Sequence, residues 1–427
     1  LANFDLNFPL YCLPISTCKK LANSPALYIL YSVVQATHHR NALSRQNDVQ
    51  NMLKAAADDV VAMSKRMNGG NNKRLVEYCR ERLSVTNRML PSDSQLCLDP
   101  RLRVTMLNVQ KCTVMNSKKK PLWLSFENVD RSGEGKPIMV MFKSGDDLRQ
   151  DQMTLQIIRF VDDLWIRNGL DLRMTPYRCV STGNELGMLE IVLGANTIAN
   201  IQKDMSGYTG AFDRKSLRNW LWEKHAHNTH NTHNTHNTHP SANRPNRPNA
   251  QISGFDAVVD NFVHSCAGYC VLSYVLGIGD RHADNIMLKE SGHLFHIDFG
   301  HYLGNFKTKL GFKRERTPFV FTREMAYVMT EGKKNALPYK LFVKTCCQAF
   351  NILRKHSRVL MVLFQLMIPA GIPELTCDED IEYMRKKLVL EMTEEQASRL
   401  MKKEIKKCLN DYYRLFDNWI HNIKTGM

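Results

Sequence analysis

No apolar run in this chain is long enough to span a bilayer. The longest, Val359 to Ile368, is broken by Gln365, whereas a spanning helix needs about 20 apolar residues. No signal peptide is visible. The 12 cysteines lack regular spacing. That excludes a zinc-finger framework and, in a chain of 427 residues, reads as reduced cytosolic thiols. Cys266/Cys270 and Cys346–Cys347 read as core residues rather than ligands. No RNA-binding aromatic motif is present, and no nucleic-acid partner is expected. Acid is scarce: 42 Asp and Glu stand against 58 Lys and Arg, a formal net charge of +16. That balance favours anionic partners.

Apolar material is sufficient, at 43% of residues, for a sizeable core, and the length predicts two or three domains. The chain opens at Leu1 inside an apolar-rich segment, which reads as a piece of something longer. Its densest chemistry lies in Gly279 to Gly300, GDRHADNIMLKESGHLFHIDFG. Ile286–Leu288 and Leu294–Ile297 read as two short strands joined by a turn at Glu290–Gly292. A hairpin folds its ends together, which brings Asn285 at the entry near Asp298 at the exit. An amide oxygen beside a carboxylate suits a hard cation such as Mg²⁺. Asp280, then Asn285, then Asp298-Phe299-Gly300 is also the order of parts in a kinase: a catalytic-loop acid or base, a metal-binding Asn and a metal-binding Asp.

Residues 1–90 read as helical. Ala26–Thr37 is apolar, Val49–Met67 carries apolar residues at helical spacing, and Arg74–Leu83 continues the pattern. No catalytic constellation appears there. Residues 91–193 read as β-rich with one helix. Met115–Trp123, MNSKKKPLW, stands where a protein kinase places its Gly-rich phosphate loop, yet has no glycine. Backbone approach there needs help from the Ser117 hydroxyl and a lysine, Lys119 being the best placed. The strand Pro137–Lys143 ends in one lysine, the arrangement that holds a positive charge over a nucleotide phosphate. Asp151, near the start of the following helix, either orients Lys143 or serves as a structural cap. Tyr177–Ser181 and Met188–Leu193 read as strands.

Residues 194–427 turn helical, with helices expected at Asn196–Ile201, Ser216–Lys224 and Phe255–Leu276, and through most of 323–427. His225–Ala250 carries a His-Asn-Thr repeat and a Pro/Asn tract without apolar anchors; it reads as a low-complexity, disordered insertion rather than a metal site. The segment after Asp298-Phe299-Gly300 is basic: Lys307, Lys309, Lys313, Arg314 and Arg316. In a kinase this position faces the acceptor, and five cations there call for an anionic acceptor such as a polyphosphorylated headgroup. With phosphate-transfer chemistry in the chain, an anionic membrane becomes the expected partner. Tyr412–Lys424 mixes aromatic and basic residues, including Trp419 and Ile420. It suits either a membrane interface or a helix docked by its apolar face.

The inverted triplet Asp280-Arg281-His282, with Asn285 five residues after Asp280, resembles the phosphoinositide 3-kinase superfamily. MNSKKKPLWLSFEN, FKSGDDLRQDQMTLQIIRF, GLDLRMTPYRCVS, SCAGYCVLSYVLGIGDRHADNIM, LFHIDFGH and GFKRERTPFV each resemble motifs of the class I catalytic subunits. The resemblance runs from about Arg103 to the end and implies an α+β, bilobal kinase-like fold. In that fold a helical segment (1–90) precedes a β-rich N-lobe (91–193) and a mostly helical C-lobe (194–427), with the insertion at about 225–250. It implies ATP- and Mg²⁺-dependent phosphorylation of the inositol 3-hydroxyl of phosphatidylinositol 4,5-bisphosphate. By position, Ser117 and Lys119 would touch phosphates and Lys143 the α/β-phosphates. Asp151 and Tyr177 would line the inner pocket, Glu190 and Val192 would form the hinge, and Asn285 and Asp298 would bind Mg²⁺. The basic loop would select the bisphosphate headgroup.

A regulatory or adaptor subunit and a small GTPase are the partners implied, through regions outside this chain. The implied location is cytoplasmic, with recruitment to the inner face of the plasma membrane. Ala283 replaces a residue that is often polar in the family, and the His-rich insertion is not a family feature. The proton acceptor stays open among Asp280, His282 and His301, with the two histidines favoured because an unperturbed imidazole titrates near neutrality. Two competing readings are a protein kinase of the same superfamily, against which the basic loop argues, and a catalytically inactive membrane-binding scaffold, against which Lys143, Asn285 and Asp298 argue.

Overall fold

Val49, Leu53, Ala56 and Val60 recur at helical spacing in α1 (Thr37–Arg66), as Leu75, Cys79 and Leu83 do in α2 (Asn72–Met89), and all seven are buried. The computed structural model describes residues 37–67, 72–129, 136–207, 210, 213–233, 254–305, 308–309, 312–313 and 317–411. Two compact units emerge: Leu1–Leu155 with Tyr177–Val192, and Gln156–Pro176 with Leu193–Met427. One is β-rich and the other mostly helical, the α+β bilobal class that the motifs imply.

In the first unit the strands are β1 (Ser94–Leu96), β2 (Asp99–Leu107), β3 (Thr113–Val114), β4 (Leu122–Asn128), β5 (Ile138–Ser144), β6 (Cys179–Gly183) and β7 (Leu186–Glu190). They form one antiparallel sheet in the order β1-β2-β4-β5-β7-β6, with β3 on β4. Leu122 pairs with Phe142 and Leu124 with Val140, so successive buried residues share one face. That face closes on α1 and α2: Leu53, Val60 and Leu83 lie in one core with Val104, Phe126 and Phe142. The helices set apart in sequence therefore bury their apolar stripe against the sheet. Gly187 sits where a side chain has no room; an added Cβ would lie 2.3 Å from the Val180 carbonyl oxygen.

In the second unit α6 (Gly254–Leu276) is buried on every side from Phe262 onward, apart from His264. The same unit holds the three-stranded antiparallel sheet β10-β9-β8 (Leu294–His296, Ile286–Lys289, Ala195–Thr197), of which β10 packs on α6, and a set of helices. These are the latter part of α3 (Arg149–Arg167), α4 (Ile198–Ser206), α5 (Ser216–His233), α7 (Arg323–Thr330), α8 (Leu337–Lys355), α9 (Ser357–Met367), α10 (Asp378–Leu388) and α11 (Glu394–Leu409). Buried Trp165 donates its indole N–H to the Ala349 carbonyl at 3.0 Å. Thr322 caps α7 through Met325, and Thr393 with Gln396 forms a capping box on α11.

Three local expectations need correction. Ala195–Thr197 is a strand, because its pairing with Met287–Lys289 outweighs helical propensity until Thr197 caps α4. The strand β4 was not expected, although Leu122, Leu124 and Phe126 alternate as a half-buried strand should. The His-Asn-Thr tract is not irregular from its start: α5 runs on to His233, since extending a nucleated helix costs little per residue. Among the described residues no helix is long and apolar enough to cross a membrane, and the described cysteines are all free thiols.

Candidate active site

The first unit carries the residues expected to meet phosphates. The loop between β3 and β4 is closed by Met115 N–H on the Pro121 carbonyl at 2.9 Å, and Ser117 N–H donates to the Met115 carbonyl at 2.9 Å. Ser117 is exposed at the tip. Lys119 reaches out of this turn, and its Nζ donates to the Gly145 carbonyl at 2.5 Å. Gly145 has φ +93, a conformation that glycine adopts without strain. One contact thus ties Lys119 to the turn that follows Lys143. Lys143 itself, half-buried at the end of β5, has the Asp146 carboxylate 3.5 Å from Nζ.

Asp146 was not singled out in the sequence, yet it is the carboxylate that the structure sets against Lys143 in a resolved ion pair. Asp151 lies in the first turn of α3. That turn begins where Asp147 accepts from the Arg149 backbone N–H at 3.1 Å, and the Arg149 guanidinium holds the Asp147 carboxyl below its ordinary range. Gln152 is fixed by the Ser181 N–H at 2.7 Å, which fastens α3 to β6. Tyr177 is buried.

Around the expected hinge, Glu190 is occupied on both sides. Its carboxylate accepts from the Arg178 N–H at 2.9 Å and from the Arg178 guanidinium at 3.2 Å, and its own N–H donates to the Arg178 carbonyl at 2.8 Å. Ile191 N–H is used by the Met139 carbonyl. Val192, by contrast, has no backbone hydrogen bond among the described residues. Of the two residues expected at the hinge, Val192 is the one whose main-chain groups have no backbone partner among the described residues.

In the second unit the hairpin forms as expected, with Ile286 opposite His296 and Leu288 opposite Leu294. Asn285 enters it and Asp298 follows its exit. Arg281 organises the ends from below. Almost fully buried, it donates Nε to the Gly279 carbonyl at 2.8 Å and Nη1 to the Ile297 carbonyl at 2.6 Å, and Nη2 to the Asp298 carbonyl. Its guanidinium also lies 5.6 Å from the Phe299 ring centre. The fork of donors closes these three carbonyls with one side chain, and Nη1 also reaches the Asn285 carbonyl at 3.4 Å. Asp280 and Asp298 both adopt left-handed backbone, φ 52 and φ 60, which Asp tolerates better than most residues.

Asn285 gives its amide N–H to the Asp280 carbonyl at 2.9 Å. That bond fixes the amide so that Oδ1 is the free end. Neither Asn285 Oδ1 nor the exposed Asp298 carboxylate has a partner among the described residues. The donor set fits Mg²⁺: two hard oxygens, leaving the remaining positions for water and phosphate oxygens. Among the described residues no group of three His, Cys, Asp or Glu side chains gathers as a metal site.

Two histidines flank this turn. His282 has Nε2 4.0 Å from Asp280 and Nδ1 4.0 Å from Asp284, and Asp284 N–H donates to His282 Nδ1 at 3.3 Å. His301 is tied back by its carbonyl, which accepts from Gly279 N–H at 2.9 Å. Its Nδ1 lies 2.7 Å from Glu374 Oε1, whose other oxygen accepts from Tyr302 N–H at 2.6 Å. Glu374 and the clamp by Arg281 escaped the sequence reading. Glu374 carries no local signal. Arg281 did, since an Arg between two polar residues in a tight turn is a natural bridge for carbonyls.

Lys307, Arg314 and Arg316, and likewise Trp419 and Ile420, lie outside the described residues. Lys309 and Lys313 are described only as backbone, in the small ladder β11 (Thr308–Lys309) with β12 (Phe312–Lys313).

The first unit carries a lysine-ended strand and the second a hairpin with two free hard-oxygen ligands, each by itself a part that kinases share. Residues 137–377 match the family Phosphatidylinositol 3- and 4-kinase, and the chain belongs to it. Among similar proteins, Phosphatidylinositol 3-kinase 2 of Dictyostelium discoideum is 46% identical over 387 residues, 90% of this chain and 19% of that protein. Phosphatidylinositol 4-phosphate 3-kinase C2 domain-containing subunit alpha of Pongo abelii is 37% identical over 384 residues, 90% of this chain and 21% of its own length. The corresponding subunit beta of Homo sapiens is 42% identical over 334 residues, 78% of this chain and 19% of that protein. The chain thus spans about a fifth of the length of these relatives.

Proposed function

We propose that this chain transfers the γ-phosphoryl group of ATP to the inositol 3-hydroxyl of a membrane phosphoinositide. The acceptor is phosphatidylinositol 4,5-bisphosphate and the product the 3,4,5-trisphosphate. The observation that carries the reading is Asn285 and Asp298 at the two ends of one hairpin, each with a free oxygen and both fastened through Arg281. When bound there, Mg²⁺ supplies charge neutralisation of the phosphate oxygens.

Lys143, Lys119 and Ser117 hold phosphate oxygens, and the Val192 backbone reads the adenine edge. The inositol 3-hydroxyl oxygen forms the new bond to phosphorus as the bridging bond to ADP breaks, and its proton passes to His282 or His301. Because the transition state is loose, these histidines contribute more by positioning the hydroxyl than by deep proton abstraction. The cations at 307–316 supply the headgroup contacts, and Trp419 with Ile420 the membrane contact. The net charge of +16 supports action at an anionic leaflet, the inner face of the plasma membrane.

A second reading keeps the chemistry and changes the acceptor. Two of the similar proteins are named phosphatidylinositol 4-phosphate 3-kinases, which favours the monophosphate. A lipid kinase assay with Mg-ATP on vesicles decides. Trisphosphate from the bisphosphate, lost in Asp298→Ala, supports the first reading; turnover of the 4-phosphate with the bisphosphate inert supports the second. Absence of any 3-phosphorylated lipid overturns both.

A further inference from the structure

A groove of about 690 Å³ opens in the second unit between α8 and α11, closed at one end by Asn168–Leu170. No residue of the catalytic hairpin lines it. Its walls carry Lys340 and Lys344, one turn apart on α8, and Lys402 and Lys406, one turn apart on α11. None of the four has an ion-pair partner among the described residues. Among the described residues the only carboxylate on the walls, Glu394, is taken by Lys355 at 3.0 Å. Leu170 and Ile405 give the groove apolar lining.

Like charges one helical turn apart repel, and here two such pairs share one concavity. All four are exposed to solvent and line one volume of the size that small ligands fill. Lysine presents three donors on a flexible stem and binds phosphate as a point charge. At about 690 Å³ the groove is too small for a nucleic-acid duplex. We propose that it binds a compact ring polyphosphate, an inositol carrying several phosphomonoesters, with the four ammonium groups divided among the phosphates. The same chemistry is offered by a soluble inositol polyphosphate and by a phosphoinositide headgroup drawn out of a membrane.

The test reads binding, so its outcome is separate from that of the kinase assay. Calorimetry with inositol hexakisphosphate at about 0.15 M salt, where diffuse charge attraction is screened, is expected to show saturable binding. Lys344→Glu with Lys402→Glu should weaken it about tenfold or more, since reversed charges now oppose the phosphates. Lys386→Glu with Lys403→Glu changes net charge equally at exposed positions outside the groove and should change it less than about twofold. Lys340→Gln with Lys406→Gln repeats the loss with a milder change, and melting curves confirm that each variant folds. Co-sedimentation with bisphosphate-containing or phosphatidylserine vesicles of equal charge then separates the sources. Groove-dependent retention on the former supports a headgroup, and none supports a soluble ligand. Equal weakening by both charge-reversed pairs, or no saturable binding, overturns the proposal.

Discussion

His301 Nδ1 and Glu374 Oε1 lie 2.7 Å apart, although 73 residues separate them in the chain. The second oxygen of Glu374 accepts from the very next backbone N–H, that of Tyr302, at 2.6 Å. One carboxylate therefore fixes both the imidazole and the main chain that carries it, the arrangement by which a histidine's tautomer and direction are set.

Glu374→Ala should lower kcat for lipid phosphorylation about tenfold, with KM for ATP nearly unchanged, because the nucleotide is held by other residues. His301→Ala should cost at least as much. The double variant should be no worse than His301→Ala, since the two act as a unit. Steady-state kinetics on vesicles checks this; fully additive losses would separate the two residues.

Arg281 is the single side chain closing three carbonyls around the turn. Arg281→Ala leaves those oxygens unsatisfied and should destabilise the chain by about 3 kcal/mol or more. Arg281→Lys should recover little, because an ammonium cannot reproduce the planar fork. Thermal melting with parallel activity measurement is the check.

Asp298 is exposed, and its carboxylate has no partner among the described residues. Asp298→Ala should therefore leave the melting temperature almost unchanged while removing turnover by about a hundredfold or more. Chelation of Mg²⁺ should remove activity to the same degree and be reversed by adding the ion back. A variant that melts early would show a structural role instead.

Gly145 offers its carbonyl to Lys119 at φ +93. Gly145→Ala should cost about 1 to 2 kcal/mol through the disfavoured backbone and raise KM for ATP. Lys119→Ala should raise KM without the loss in stability. Melting and ATP titration of the two variants separate backbone strain from phosphate contact.

Glu324 is buried between α4 and α5, accepting from Gln202 at 2.8 Å and from the Ser216 hydroxyl at 2.5 Å. Burial, opposed by those two hydrogen bonds and reinforced by nearby Asp213, raises its carboxyl from the ordinary 4.5 to about 7. The folded state thus holds a proton more tightly than the unfolded chain. Below pH 4.5 both states are protonated; stability is lost as pH rises through the window to about 7 and is fully lost above it. The loss amounts to about 3 kcal/mol. Glu324→Gln should flatten this slope and melt later than the parent at pH about 8; urea unfolding across the window measures both.

Local pattern exposed much of the fold. The buried α6, the stripe on α1 and α2, the strand ending in Lys143 and the hairpin holding Asn285 and Asp298 are all stated by neighbouring residues. Strand β8 was hidden because three residues are too few to show a period, and its pairing partner lies about ninety residues downstream at Met287–Lys289. Asp146 was hidden beside Asp147 in one turn, and only the backbone at Gly145 decides which of the two faces Lys143.

By itself the sequence determined the order and spacing of the chemistry: Asp280, Asn285 and Asp298 around one hairpin, Lys143 on one strand, and a strongly basic surface. Those features depend on residues a few positions apart, whose geometry follows from turn and strand periods. Only the tertiary structure decided that Glu374 meets His301, that Glu324 meets Gln202 and Ser216, and that lysines of α8 and α11 share one groove. Such contacts join segments tens to more than a hundred residues apart, and no local period encodes them. They exist because close packing of the helices leaves each such group one set of neighbours.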